Sequence, residues 1–484
     1  MSIWEKAIHL FKEISKIPRQ SNVVKDGKIL VHHEQQVLQY FQTWALTHDF
    51  AHSRDEYGNI CIFIPWTQGR EKQAPVILQG HMDMVCVKSG KIEHDFEIDP
   101  IVVTEENGWL KASETTLGAD NLVWVCLALS SAFLESHPPL EILITATEET
   151  GMIGASQLDP SIVSGDALHM INLDTEVLWE IIIWCAWGGK AKVSGVFETY
   201  EYEWESVQFS IVWWRGGHSW LEIWTRRANI VYQTACFLSE LTQTFSLISF
   251  VWWQRDNAIA WEVTVCLAVK DVWEFTKKLE AFYEKLKDAF DEPNISLTVE
   301  SLYQRQKTLS EEDTQKLLTA LWSIKSWVYA YLVDIPDFVE TSCNLWYVSL
   351  KDGHLTIKYA LRSSYIEEVE KMAAFIENMY VSIWCKSEVS GIYPWWLQDI
   401  DAPFVQRVKK AYEDVLGQES KLLAVHAWLE CGVLSNRLWN HLEIVSFWPN
   451  IMWAHSVDET CEIQSIHTIS TILENILHQY DVYR

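Results

Sequence analysis

Three apolar runs each lead into a histidine or a carboxylate, and this pattern limits the folds open to the chain. The runs are residues 76–78 before His81, 140–146 before Glu148 and Glu149, and 167–173 before Asp174. Apolar runs are typical of strands buried on both faces of a sheet. Open α/β sheets bind ligands at the carboxyl ends of their strands. The sequence therefore predicts an α/β fold that gathers imidazole and acidic groups at one end of its sheet.

These residues belong to five short motifs spread along the chain. The motifs are His81-Met82-Asp83, Gly118-Ala119-Asp120-Asn121, Thr147-Glu148-Glu149-Thr150-Gly151, Asn172-Leu173-Asp174 and Ala454-His455-Ser456. Together they supply two imidazoles and five carboxylates, the ligand types of a two-zinc hydrolytic centre. Any one motif alone is more often a surface or structural pair, but the five together predict a metallohydrolase.

The number of acidic groups favours two metal ions over one. If Asp120, Glu149 and Asp174 are ligands and a hydroxide bridges the metals, one zinc leaves the site strongly negative, whereas two bring it to neutrality. Burying unpaired like charge is costly. We therefore expect two divalent ions as cofactors, zinc first, with cobalt or manganese as alternatives.

Residue spacing suggests roles inside the motifs. Residues two apart in an extended segment point to the same side, so Asp83 is placed to orient the ring of His81 and not to bind metal. Neighbouring side chains diverge, so Glu148 and Glu149 are not expected to hold one metal in the same way. One of the two should coordinate metal while the other stands free beside the bridging water.

Eight segments resemble those of the aminoacyl-histidine dipeptidases, also called peptidase D or Xaa-His dipeptidases. The segments are QGHMDMV, TTLGADN, TEETGMIGA, INLD, RGGHS, DNAIA, ETSCN and HAWLECG. The similarity runs from about Ile14 to the C-terminal helix. It extends to the wider di-zinc metallopeptidase family that includes carboxypeptidases, aminoacylases and carnosinases.

The resemblance implies a set of metal ligands. Asp120 would bridge both zinc ions, His81 and Asp174 would complete one site, and Glu149 and His455 would complete the other.

The resemblance also implies residues that act on the substrate. Glu148 is similar to the general base that takes a proton from the bridging water. His218, Asn257 and Arg362 are similar to lid residues that meet the substrate, with the arginine suited to grip a free C-terminal carboxylate. Without the resemblance, an isolated arginine at a strand end is more often a surface residue.

The length of 484 residues is too great for one ordinary core and predicts two domains. We expect a zinc-exopeptidase-like catalytic domain, a mixed sheet flanked by helices, formed by residues 1–187 and 391–484. An α+β lid at residues 188–390, for substrate binding or dimerisation, would be inserted into it. The predicted lid strands are 207–212, 259–269, 295–301 and 355–361, and the predicted lid helices are 228–241, 272–290, 311–324 and 366–379.

Composition and charge exclude several partners. The net charge of −28 argues against nucleic-acid binding, which needs basic surface. The ten cysteines lack paired spacing and are expected to be free thiols in a reducing compartment. The N-terminal segment predicts an amphipathic helix and not a signal peptide, and no apolar run is long enough to cross a membrane. We expect a cytoplasmic enzyme that acts on small peptides and makes no membrane contact; a homodimer stays an open alternative.

Tryptophan and glycine occur in unusual numbers. The chain has 27 Trp and 19 Gly, whereas average usage would give roughly 34 Gly. Several Trp occupy positions where the family resemblance would place Gly: Trp124, Trp184, Trp187, Trp220, Trp252, Trp253, Trp346, Trp395, Trp428, Trp448 and Trp453. One hypothesis is that the source organism reads UGA as glycine and that this chain was translated with UGA as tryptophan. The alternative is a genuinely Trp-rich core or carbohydrate platform.

The function predicted from the sequence is metal-dependent hydrolysis of dipeptides that carry a free C-terminal carboxylate, with Xaa-His dipeptides as one candidate class. Water that bridges two zinc ions would attack the peptide, Glu148 would relay its proton to the leaving amine, and zinc with His218 would stabilise the oxyanion. Two alternatives stay open. One is an aminoacylase-type amide hydrolase of the same family, and the other is a non-catalytic binding protein that retains the fold.

Overall fold

The structure of the protein, a computed structural model, divides the chain into two compact units. It describes all residues except 26–27, 173–177, 179, 214–222, 226, 243, 254–257, 291–294, 303–305, 333–338, 394–395, 426–428, 439–440 and 483–484. Unit 1 comprises the described residues within Met1–Cys185, Trp396–Ala424 and Leu429–Arg484, and unit 2 comprises those within Ala186–Trp395 and Val425–Trp428.

The described residues contain eleven α-helices in the two units. They are α1 Ile3–Ile14, α2 Gln35–Thr47, α3 Ala119–Ser131, α4 Ile153–Gln157, α5 Ile230–Glu240, α6 Val272–Phe290, α7 Glu311–Ser323, α8 Ile366–Val381, α9 Pro403–Leu416, α10 Glu430–Arg437 and α11 Ile463–His478.

The strands of the described residues are numbered in the same way. In the first part of the chain they are β1 Val23–Lys25, β2 Lys28–Val31, β3 Ala51–Arg54, β4 Ile60–Ile64, β5 Val76–His81, β6 Thr104–Glu106, β7 Trp109–Lys111, β8 Leu140–Thr145, β9 His169–Asn172 and β10 Glu180–Cys185. The next are β11 Trp187–Val196, β12 Tyr200–Glu201, β13 Glu205–Trp213, β14 Phe245–Trp253, β15 Glu262–Val269, β16 Ile295–Leu302, β17 Lys307–Thr308, β18 Trp327–Tyr331, β19 Val339–Lys351, β20 His354–Ser363 and β21 Lys386–Tyr393. The last are β22 Trp396–Leu397, β23 Lys421–Val425, β24 Glu443–Ser446, β25 Ile451–Met452 and β26 Thr460–Glu462.

The main sheet of unit 1 is mixed. Its strand order is β22-β10-β24-β9-β5-β8-β4-β3, with β23 beside β10. The four strands β24, β9, β5 and β8 run parallel, while β4 and β3 pair antiparallel. The three apolar runs of the sequence correspond to the neighbouring strands β9, β5 and β8, so their carboxyl ends lie side by side. This arrangement confirms the predicted α/β class.

Helix α3 explains how the sheet of unit 1 is covered. All of its thirteen residues are buried, because its sequence is apolar on every face after Asp120 and Asn121. Helix α1 has the predicted amphipathic pattern instead, with Ala7, Phe11 and Ile14 in the core. Strand β5 is buried at each of its six positions. The residues that follow β5 and those that begin α3 are therefore fixed by the hydrophobic core.

Unit 2 is built around an antiparallel sheet. Its strand order is β16-β13-β15-β14-β19-β20-β11-β21, and β18 pairs with β19. The predicted lid helices correspond to α5, α6, α7 and α8, and the predicted lid strands to β13, β15, β16 and β20. Helix α6 places Phe275, Leu279 and Leu286 in the core and exposes its charged face. An antiparallel sheet with such helices is the predicted α+β arrangement.

Within the described residues, none of the helices combines the length and the apolar character that a membrane span requires.

Candidate metal centre

Four of the five predicted metal ligands come together in unit 1. His81 is the last residue of β5, and Asp120 is the second residue of α3. Glu149 lies in the turn after β8, and His455 lies between β25 and β26. The fifth predicted ligand, Asp174, lies outside the described residues.

Asp120 presents one carboxylate oxygen to each of the two imidazoles. Its Oδ1 lies 3.3 Å from His81 Nε2, and its Oδ2 lies 3.1 Å from His455 Nε2. A carboxylate that bridges two metal ions needs this geometry, because each of its oxygens then binds a different ion.

Glu149 completes the cluster. Its Oε2 lies 3.1 Å from His455 Nε2, and one ligand atom from each of His81, Asp120 and Glu149 lies within 4.8 Å of the others. The Glu149 side chain is buried, and no described residue offers its Oε1 a hydrogen bond. Imidazole nitrogens and carboxylate oxygens are the ligands that zinc and related divalent ions accept. The described donor set therefore fits a divalent metal centre.

The pKa shifts in the cluster reflect its negative charge. Burial lowers the pKa of His455, but Glu149 and Asp120 outweigh burial and raise that pKa to about 12. Burial raises the pKa of Glu149. The buried carboxylates therefore concentrate negative charge beside the imidazoles, and bound cations would offset that charge.

Asp83 contacts both the ring of His81 and the turn that follows β8. Its Oδ1 lies 3.3 Å from His81 Nδ1 and accepts the N–H of Glu148 at 3.0 Å. Its Oδ2 accepts the N–H of Glu149 at 3.1 Å and the hydroxyl of Ser21 at 2.7 Å. Asp83 thus holds an imidazole and the two glutamates in one arrangement, as a carboxylate placed behind metal ligands does.

Glu148 lies next to Glu149 in a tight turn. Thr147 has a φ of +54°, and the Glu148 carbonyl oxygen accepts the N–H groups of Gly151 and Met152 at 2.9 and 2.7 Å. Burial lowers the pKa of His81, yet nearby carboxylates that include Glu148 raise it well above its usual range. The Glu148 side chain is therefore close enough to act electrostatically on the centre.

A buried polar chain joins the carboxyl ends of three strands below the cluster. Gln79 Nε2 donates to Glu430 Oε2 at 2.6 Å, and the Thr145 hydroxyl donates to the same oxygen at 2.8 Å. Asn172 Nδ2 donates to Gln79 Oε1 at 2.6 Å. Burial raises the pKa of Glu430 to about 7. These side chains link β5, β8 and β9 near the predicted metal ligands.

Three buried charged residues near the ligand turns were not identified from the sequence. They are Arg19, Glu34 and Glu459. Glu34 accepts the backbone N–H and the hydroxyl of Thr147 at 3.1 and 2.6 Å. Glu459 follows His455 by four residues, so extending that motif to HSVDE would have included it. No spacing signal in the sequence connects Arg19 or Glu34 with the motifs.

The predicted lid residues are only partly described. His218 and Asn257 lie outside the described residues. Arg362 is the ninth residue of β20 in unit 2, where it is buried and pairs in register with Gly188 and Ser342.

Two tryptophans lie close in sequence to predicted metal ligands. Trp453 precedes His455 by two residues, has a φ of +54° and is 63% exposed. Trp124 is fully buried in α3, where its Nε1 donates to the carbonyl oxygen of Gln79 at 3.0 Å. The structure therefore accommodates Trp124 but places Trp453 in a conformation that favours glycine.

A family model and a characterised relative both match most of the chain. The model described as Peptidase family M20/M25/M40 matches residues 77–479. The cytosol non-specific dipeptidase of Escherichia coli (strain K12) is 31% identical over 481 residues, which cover 97% of this chain and 96% of the relative.

Solved structures show the same fold. The aminoacylhistidine dipeptidase from Vibrio alginolyticus superposes with a TM-score of 0.83 at 27% identity, and the match covers 99% of this chain and 97% of that one. Human carnosine dipeptidase 1 matches with a TM-score of 0.54 at 13% identity, over 98% of this chain and 96% of that one. The second likeness shows the fold alone.

Proposed function

This chain belongs to peptidase family M20/M25/M40, and from that premise we propose that it is a dipeptidase that uses two divalent metal ions. Family membership makes it a metallopeptidase. The proposal adds the substrate, which is a dipeptide with a free C-terminal carboxylate, and the roles of the individual residues. The relatives from Escherichia coli and Vibrio alginolyticus are both named dipeptidases, and this supports the proposed substrate class.

One observation carries the proposal, namely the position of Asp120 between two imidazoles. Its two oxygens lie 3.3 and 3.1 Å from His81 and His455, inside a buried acidic cluster. A single-metal site has no need for a carboxylate shared in this way. We assign His81 and Asp174 to one ion, Glu149 and His455 to the other, and Asp120 to both.

Bound divalent ions would lower the pKa of a water molecule and polarise the scissile carbonyl group. Glu148 is assigned as the general base that takes a proton from the attacking water and delivers it to the leaving amine. Its place in the turn supports this role, because Asp83 fixes the N–H groups of Glu148 and Glu149 together. Asp83 also orients the ring of His81. The proposed base, Glu148, and the proposed ligand, His81, are thereby held at a fixed position relative to each other.

The substrate contacts are assigned to unit 2, as a lid. His218 is assigned to the oxyanion, and Asn257 and Arg362 to the substrate. A guanidinium suits a carboxylate because it can donate two parallel hydrogen bonds. Such a contact would select short peptides with a free C-terminus, and Xaa-His dipeptides are one candidate set within that class. We also propose a cytoplasmic location, which the name of the Escherichia coli relative supports.

A substrate panel tests the proposal. The purified protein, supplied with zinc or manganese, would be assayed with Xaa-His and other dipeptides, the same dipeptides as C-terminal amides, and N-acetyl amino acids. Hydrolysis of free dipeptides with little cleavage of the amides supports the dipeptidase assignment. Preferential cleavage of N-acetyl amino acids would instead indicate an aminoacylase. Binding of metal and dipeptide without turnover would indicate a binding protein.

A further inference from the structure

The turn that carries Asp120 is held on one side by the carboxylate of Glu459. Glu459 Oε2 accepts the N–H groups of Leu117 and Gly118, each at 3.0 Å. Its Oε1 accepts the N–H of Ala119 at 2.8 Å and that of Asp120 at 3.4 Å. Glu459 is almost fully buried, so water does not compete for these bonds.

These N–H groups lie at the start of α3, where a helix has donors without partners of its own. A local Ser, Thr, Asp or Asn usually accepts such bonds, but the residue before α3 is Gly118 and makes no side-chain cap. A carboxylate there also meets the positive end of the helix dipole. Glu459 therefore caps α3 from a distant part of the chain, through hydrogen bonds from four backbone N–H groups.

Arg19 holds the same turn on its other side. Its Nη2 donates to the carbonyl oxygen of Gly118, and its Nη1 donates to the carbonyl oxygens of Met82 and Asp83 at 3.3 and 3.2 Å. Arg19 is also buried. One guanidinium thus joins the turn before Asp120 to the segment that follows His81.

We propose that Arg19 and Glu459 act as a pair of positioning residues, called here the turn clamp, that sets Asp120 between the two metal ions. The inference rests on the proposed metal centre. Glu459 lies four residues after His455, and Arg19 contacts the residues next to His81. The turn clamp therefore ties together the three segments that supply Asp120 and the two imidazoles.

The geometry of Asp120 explains why such a clamp is needed. Asp120 has φ −73° and ψ 111°, which departs from helical values inside α3, and Gly118 before it has φ +66°. The backbone bonds from Arg19 and Glu459 hold the non-helical conformation that points both carboxylate oxygens at the imidazoles.

The test compares Glu459→Gln with Glu141→Gln in the full chain. Glutamine keeps the size of the side chain. Its NH2 group, however, would face backbone N–H donors and cannot accept the hydrogen bonds that a carboxylate oxygen accepts. Glu141 is a matched control, because it is a buried carboxylate of unit 1 that accepts the N–H of Ser164 at 3.1 Å, away from the ligands. Metal affinity would be measured by chelator competition, and coordination by the visible spectrum of the cobalt-loaded protein.

We expect Glu459→Gln to weaken metal binding roughly 10- to 100-fold and to shift the cobalt spectrum, as loss of a group behind metal ligands does. Glu141→Gln should leave both unchanged. An unaltered affinity and spectrum in Glu459→Gln would overturn the clamp, as would equal effects in the two variants. If Glu459→Gln does not fold, the same measurements on Arg19→Lys provide the test. Lysine keeps the positive charge but lacks the planar guanidinium that donates hydrogen bonds to two segments. Failure of the unmutated protein to bind metal would instead contradict the proposed function.

A separate observation concerns tryptophan at left-handed backbone positions. Helix α8 ends with the N–H of Cys385 donating to Tyr380 O at 3.0 Å and that of Trp384 donating to Val381 O at 3.1 Å. This is the Schellman pattern, and its left-handed position is usually glycine. Trp384 occupies that position with a φ of +65° and is 89% exposed, so no packing compensates for the strain. Trp453 has the same combination of positive φ and exposure.

Three buried tryptophans also occupy positions that do not suit a tryptophan side chain. Trp252, Trp346 and Trp448 are buried, and no described residue accepts a hydrogen bond from their indole nitrogens. A buried indole N–H usually finds an acceptor. We infer that Trp384 and Trp453 are encoded by UGA and are glycine in the protein that the source organism makes.

The gene sequence and peptide mass spectrometry of the protein from its source test this inference. We expect UGA at both positions, UGG at Trp109, and peptide masses that correspond to glycine. UGG at both positions would overturn the inference. Trp384→Gly should also raise the melting temperature by about 2 °C or more, because glycine relieves the strain. Trp273→Gly is the control: Trp273 is 72% exposed within α6, and glycine there should lower the melting temperature.

Discussion

His455 Nε2 lies 3.1 Å from Asp120 Oδ2, although 335 residues separate the two in the chain. Their contact depends on the fold of unit 1, since Asp120 lies in the first turn of the buried helix α3 and His455 lies in the last part of the chain. Ligands brought together only by folding make metal binding and stability interdependent. Changes at the centre should therefore be visible in metal content as well as in turnover.

Replacement of Asp120 should remove the centre. Asp120→Ala is expected to lose most of both bound metals, because only this carboxylate is assigned to both ions. Metal analysis after gel filtration measures the loss. Asp458→Ala is the control, because Asp458 is exposed and lies close to His455 in sequence without joining the cluster. Retention of two tightly bound ions in Asp120→Ala would contradict the bridging assignment.

Substitution of the two neighbouring glutamates should have different effects on metal content and on kcat. Glu148→Gln is expected to keep its metals and to lose roughly 10²-fold or more in kcat, the usual scale for loss of a general base. Glu149→Gln should lose metal instead, because Glu149 is assigned as a ligand of the ion that His455 binds. Each variant serves as the control for the other. Equal metal loss in both would show that the roles are assigned wrongly.

Two glycines with nearly equal φ angles isolate the steric requirement at the Asp120 turn. Gly118 and Gly417 have φ of +66° and +67°, so alanine should cost about 1–2 kcal/mol at either from backbone strain. A Cβ at Gly118 would also clash with Arg19 Nη2 and lie 2.8 Å from Met84 Sδ, whereas one at Gly417 meets nothing within 4 Å.

Gly118→Ala should therefore lower stability more than Gly417→Ala and should weaken metal binding as well. Urea unfolding of the metal-free proteins and chelator competition measure the two effects. Equal metal affinity in the two variants would mean that the conformation of Gly118 does not influence Asp120.

Acid should destabilise the protein partly through His169. Burial, with a smaller effect from Arg407, lowers the pKa of His169 to about 4, although Glu443 Oε2 lies 3.8 Å away. Glu443 is partly exposed, so its attraction for a proton is screened. The unfolded chain, with an ordinary histidine pKa near 6.5, binds the proton first. Stability is therefore lost as the pH falls from about 6.5 to about 4, by up to about 3 kcal/mol.

His169→Gln should reduce that loss, since glutamine does not titrate. The free energy of unfolding, measured with chelator present at pH 7 and pH 4.5, gives the difference, and the exposed His9→Gln is the control. The prediction is wrong if His169→Gln and the unmutated protein lose the same stability between the two pH values.

The fold was predictable where apolar periodicity is strong. Helices α6, α7 and α8 and strands β13, β16 and β20 lie close to their predicted positions, because each alternates or repeats its apolar residues cleanly. Strands β14 and β19 were not predicted as strands. Strand β19 extends over thirteen residues and is buried at most of them, so its sequence has no simple alternation. It is stabilised by neighbouring strands and not by a local pattern.

The candidate site was predictable where chemistry lies within a short motif. The motifs that contain His81, Asp120, Glu149 and His455 were recognised because each lies at a strand end or in a turn, and the resemblance to the dipeptidase family then implied which residues are ligands. The residues that support these predicted ligands were not predictable, since Arg19 donates to backbone groups far away in sequence. Backbone hydrogen bonds of this kind leave no residue pattern, because any amino acid at the acceptor position supplies the same carbonyl oxygen.

The division of unit 1 between distant parts of the chain has a consequence for synthesis on the ribosome. The chain leaves unit 1 after Cys185 and rejoins it at Trp396, and both His455 and Glu459 follow that return. The nascent chain can thus complete unit 2 while the sheet of unit 1 still lacks β24 and the cap of α3. On the proposed ligand assignment, the metal centre cannot be completed until His455 has been synthesised, and an earlier pause in translation would leave the acidic cluster as a partial site.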